Sequence, residues 1–130
     1  MSASAELQRI LYERLRTAAE LSPLVAGRVY DRPPAVPTFP YISFGAVDFV
    51  PDETDCVGGG EHTIQIDVWS QAVGRVEAKR ITDAVRRSLH GYQVNMTDFA
   101  LVEMQVIMTR VLGDPDGSTS HGVVQVSALV

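Results

Sequence analysis

Residues 61 to 70 alternate strictly, with Ile64, Ile66 and Val68 on one side of an extended chain and Thr63, Gln65, Asp67 and Trp69 on the other. A period of two, with β-branched residues along one side, specifies a strand with one buried face. A slip of one residue would turn those aliphatic side chains into water, so this segment also dictates the register of its neighbours. The chain must therefore supply further strands and a layer that covers the apolar face.

Flanking segments meet that need. Tyr41 to Val50 reads as a strand with Ile42, Phe44 and Ala46 on one face and Tyr41, Ser43 and Val47 on the other. Ala100 to about Leu112 and Gly122 to Val130 read as two more, joined by a loose turn over Gly113 to Ser120, and Arg28-Val29-Tyr30 as a short one ended by Pro33-Pro34. The covering layer is helical. From Ser4 to Leu21, the residues Leu7, Ile10, Leu11, Leu15, Ala18 and Leu21 recur at intervals of three and four, while Glu6, Arg9, Glu13, Arg16 and Glu20 mark the solvent face. Ser22-Pro23 suits the start of a short second turn, which Gly27 stops. A second long helix opens at Gly74 and runs to about His90 on the stripe Ala78, Ile81, Val85 and Leu89, with Gly91 placed to cap it. The predicted class is α+β: a single domain over residues 1–130, with an antiparallel or mixed sheet of four or more strands and two helices packed on one face.

Charge is unevenly distributed. Asp48, Asp52, Glu53, Asp55 and Glu61 face no Lys or Arg between positions 48 and 61, where Pro51 to Glu61 reads as a long mobile hairpin loop with glycines at 58, 59 and 60. The second long helix is the reverse: Arg75, Lys79, Arg80, Arg86 and Arg87 oppose only Glu77 and Asp83. The whole chain has a net charge of −5 and a pI of about 5.0, which argues against specific nucleic-acid binding. Apolar runs are too short to cross a bilayer, and the first residues lack a secretory pattern, so a soluble protein without membrane contact is expected. Cys56 is the lone cysteine and can form no disulfide within the chain.

Cys56, His62, His90 and His121 supply parts of a nucleophilic or metal site on paper, with Asp55, Cys56, Glu61 and His62 as the densest cluster. Their spacing matches no metal-ligand or nucleophile-base pattern, and flexible glycines inside the cluster would not hold it in place. Gly58-Gly59-Gly60 precedes a strand and lacks the following Lys-Ser/Thr of a phosphate loop. The expectation is no catalysis, no metal and no cofactor. Trp69 is either an interface anchor or a core residue beneath the second long helix.

The series Val25-Ala26-Gly27-Arg28-Val29-Tyr30-Asp31, the proline-rich loop, Pro40-Tyr41-Ile42-Ser43-Phe44-Gly45, then His62 to Ser70 and Glu77-Ala78-Lys79-Arg80-Ile81 resembles the tail-completion (tail-terminator) proteins of siphophages and gene transfer agents, in order and spacing. The resemblance implies a structural virion subunit, assembled in the bacterial cytoplasm, that forms a homo-oligomeric ring, usually a hexamer. Such a ring would cap the head-proximal end of a tail tube, end its growth and help join tail to head, with DNA passing through. Its partners would be its own copies, the tail-tube protein and a head-completion or neck protein. Alternatives are a head-completion or neck protein of the same particle, or a small regulatory or ligand-binding domain. Proposed interface residues are Asp52, Glu53, Asp55 and Glu61 on the acidic loop, Arg80, Arg86 and Arg87 on the basic helix, and Trp69.

Overall fold

The computed structural model describes residues 2–52, 59–101 and 103–130. Helix α1 (Ala3–Thr17) and the one-turn α2 (Ser22–Val25) lead into strand β1 (Val29–Tyr30) and the long hairpin of β2 (Tyr41–Pro51) and β3 (Gly60–Ser70). Helix α3 (Val76–Leu89) and a second hairpin, β4 (Glu103–Gly113) with β5 (Ser120–Leu129), complete the chain. The five strands form one mixed sheet in the order β1-β2-β3-β5-β4, with only β1 and β2 parallel.

The alternating segment sits at the centre. β3 pairs with β5 without a break from Glu61↔Leu129 to Ser70↔Ser120 and with β2 from Pro51↔Gly60 to Tyr41↔Trp69. Its aliphatic side is completely covered: Ile66 and Val68, with Val124, Val126 and Ala128 of β5, meet Ile81, Val85 and Leu89 of α3, and Leu7, Leu11 and Leu15 of α1 join the same core. Each such side chain removed from water contributes about 1.5–3 kcal/mol, which holds both helices to one face of the sheet.

Several boundaries differ from the sequence pattern. α1 ends at Thr17, because Ala18 turns to extended backbone (φ −60, ψ 127), yet Ala18 and Leu21 stay buried beyond it. Glu6 does not face solvent as the periodicity suggests. It is fully buried and accepts the backbone N–H of Thr97, pinning the irregular link after α3 onto α1. In β2 a bulge shifts the register between Phe44 and Val47, so Val47 opposite Ile64, and not Ala46, takes the helix side. The turn before β5 is not loose: Asp116 accepts the N–H groups of Ser118 (2.9 Å) and Thr119 (2.8 Å) and the Thr119 hydroxyl (2.6 Å). Those bonds hold its carboxyl below the usual range.

α3 lies close to the sheet because position 122 carries no side chain. A Cβ there would stand 2.3 Å from Thr82 Oγ1 and 3.1 Å from Val68 Cβ. Gly122→Ala is expected to destabilise the fold by about 1–3 kcal/mol, read from the urea midpoint, as overpacking does elsewhere. Thr82→Ala should recover part of that loss in the double variant, since the Thr82 hydroxyl has no hydrogen-bond partner among the described residues. An unchanged midpoint in Gly122→Ala would show that the helix does not rest on this glycine.

Candidate functional site

Helices cover one face of the sheet, and among the described residues no helix or strand lies across the other. On that open face Trp69 is stacked against His121 (centroids 3.9 Å apart, 10° between planes) and more loosely on Tyr41 at 6.4 Å. Its indole N–H donates to Ser43 Oγ at 3.0 Å. His121 Nε2 lies 2.7 Å from Asp67 Oδ1, which also accepts from Gln65 Nε2 at 2.9 Å. Neighbouring side chains therefore bury Asp67 and Ser43 although no helix covers them. Trp69 is not beneath α3: the open-face stack replaces the core position that the sequence left open. A period of two placed these residues on one side, but only the register that sets Trp69 beside Tyr41 and His121 joins them.

The acidic and basic residues are on different surfaces. Glu61 belongs to β3, not to the loop, and accepts the Ser127 hydroxyl at 2.9 Å on the open face. Asp52 follows β2, its N–H donating to Gly59 O at 2.9 Å, while Glu53 and Asp55 lie outside the described residues, as does most of the predicted mobile loop. Arg80 and Arg86 are exposed on the outer side of α3, and neither forms an ion pair among the described residues. Arg87 is held by Glu20 at 2.9 Å. Within one subunit the sheet and its core separate Glu61 from Arg80 and Arg86, so contact between these charges requires two copies.

Of the predicted cluster Asp55, Cys56, Glu61 and His62, the first two lie outside the described residues. Glu61 and His62 are adjacent on a strand and project to opposite faces. Among the described residues, no three His, Cys, Asp or Glu side chains are placed to bind a metal. His62 is buried on the helix side near the turn end of the β2–β3 hairpin, its ring 4.5 Å from that of Phe49, and neither ring nitrogen has a partner among the described residues. An open cleft of about 940 Å³ separates residues 71–75 from residues 113–120. Two of its polar side chains are engaged locally, Ser120 Oγ with Gly74 O and Thr119 Oγ1 with Asp116.

A family model described as tail completion protein gp17 matches residues 9–130. Tail completion protein gp17 of Bacillus phage SPP1 is 29% identical over 124 residues, which span 95% of this chain and 91% of the phage protein. A chain in the virion of a native gene transfer agent particle matches with a TM-score of 0.90 at 26% identity, over 98% of this chain and 96% of its own. The structure of bacteriophage SPP1 gp17 protein matches with a TM-score of 0.68 at 27% identity, over 98% and 91%.

Burial pushes the His62 imidazole below its ordinary value of 6.5. Below that pH the unfolded chain binds a proton that the folded chain excludes, so stability falls as pH drops and is restored as pH rises past it. Urea midpoints compared at about pH 7.5 and about pH 5.5 should fall further in the natural chain than in His62→Leu. Equal falls in both would exclude His62 as the source.

Proposed function

The chain belongs to the tail completion protein gp17 family, and from that premise we propose that it forms a homo-oligomeric ring, six subunits being the expected number, at the head-proximal end of a phage-like tail tube. There it ends tube growth and presents the surface that meets the head. The observation that carries this reading is the separation of charge: one subunit holds an acidic set around Asp52 and Glu61 and a basic set at Arg80 and Arg86 on surfaces that cannot meet within it. A closed ring needs a heterologous contact, in which two different patches of one chain meet between copies. The TM-score of 0.90 to a chain in an assembled particle supports the same role.

The mechanism is steric and electrostatic, with no bond made or broken. A ring that fits the tube on one side and lacks a tube-like surface on the other halts addition. Complementary charge selects its own copies, and the head-completion protein would meet the remaining face. A head-completion or neck position in the same particle is the second reading.

Deleting the gene should leave filled heads and separate tails, many of them overlong, in electron micrographs. Normal-length tails joined to heads would contradict the proposal, whereas empty heads beside normal free tails would favour the neck position. Arg80→Glu with Arg86→Glu should reproduce the deletion defect and lower ring yield about tenfold or more, since about 1.4 kcal/mol lost per contact is already a factor of ten.

A further inference from the structure

The sheet has two unfinished edges. β1 pairs with β2 only at Ile42 and Ser43, and nothing among the described residues pairs with the outer side of β2 from there to Pro51. At the opposite edge, β4 is partly occupied: Met104 O accepts the Gly91 N–H at 2.8 Å, and the Val106 N–H donates to His90 Nδ1 at 3.0 Å. Beyond Val106 the outer side of β4 pairs with no element among the described residues. Exposed large apolar side chains gather along both free runs, with Val47 at 41%, Phe49 at 46% and Val50 at 63% on β2, and Ile107 at 54% and Leu112 at 37% on β4. Unpaired edges of this kind are templates for another strand, and the usual protections are sparse: one bulge on each strand and Pro51 at the end of β2.

We propose that the free edge of β4 in one copy pairs antiparallel with the free edge of β2 in the next, carrying the sheet from subunit to subunit, with Asp48 opposite Arg110. This rests on the ring reading and gives it a specific backbone contact. The two charges select the register. Asp48 is opposite Thr63, and Arg110 is opposite Val123, so both project from the open face and would remain on one face across a continuous sheet. Arg110 has no ion pair among the described residues. With Asp48 opposite Arg110, Pro51 meets Ile107 and Gly45 meets Gly113, so the two free runs coincide end to end. The same register carries Asp52 toward the C-terminal end of the neighbour's α3, which lies by Met104 and Val106 and bears Arg86. The edge contact thus has its own charge pair, Asp48 with Arg110, while Glu61 stays on the open face, across the continuous sheet from the neighbour's α3. β2 and β4 are different edges, so the contact is heterologous and can close a ring.

Antiparallel partners bring Cα atoms to about 4.5–5.5 Å, within reach of a disulfide. Asp48→Cys with Arg110→Cys, in a chain also carrying Cys56→Ser, should give an oxidised ladder of multimers up to the closed ring, from purified chain and from particles. Either cysteine alone should give no ladder. Monomer only, from particles whose neck shows the ring by microscopy, would overturn the edge pairing and leave the ring standing. Particles with no ring at that position would overturn both.

Discussion

β3 is paired on both sides, without a break to β5 and across one bulge to β2, and every other element takes its position from that double ladder. Its aliphatic side chains alternate without a break, so a single register satisfies them, and that register sets which side of β2 and β5 faces the helices. α3 can then approach only where the sheet lacks a side chain, at Gly122 against Thr82. α1 follows, tied to the end of α3 by Arg14 Nε donating to Ser88 O at 3.0 Å. The open face follows from the same ladder, since Trp69 stacks on His121 because the two are register partners.

The parts of this fold that follow from local periodicity are legible in the sequence. The stripes Leu7, Leu11 and Leu15 and Ile81, Val85 and Leu89 name the buried sides of both long helices, and the alternation at Ile64, Ile66 and Val68 names the central strand. What periodicity misses are departures produced by tertiary contact. Glu6 occupies a solvent position by spacing but is drawn inward by the N–H of Thr97, far away in sequence. Val47 changes face because of a bulge in the pairing with β3. The Asp67, His121 and Trp69 cluster joins two strands more than fifty residues apart, and no local signal reports a cross-strand neighbour.

Of the predicted interface residues, sequence identifies the charges but not the surface each occupies. Glu61 reads as part of a loop, yet it is the first rung of the β3–β5 ladder and projects from the open face. Arg87 looks equivalent to Arg80 and Arg86 on a helical wheel, but Glu20 already holds it. In the proposed ring such placement matters, because charges kept apart by the subunit's own core would meet only between copies. Membership of the gp17 family places that property in a tail-completion protein.

Cryo-electron microscopy of the intact particle at the junction of head and tail tests this account most directly. It predicts a closed ring of this fold on the head-proximal end of the tube, with the β2 edge of each subunit against the β4 edge of its neighbour. Density for this chain at another position in the particle, or as an isolated copy touching no other, would contradict it.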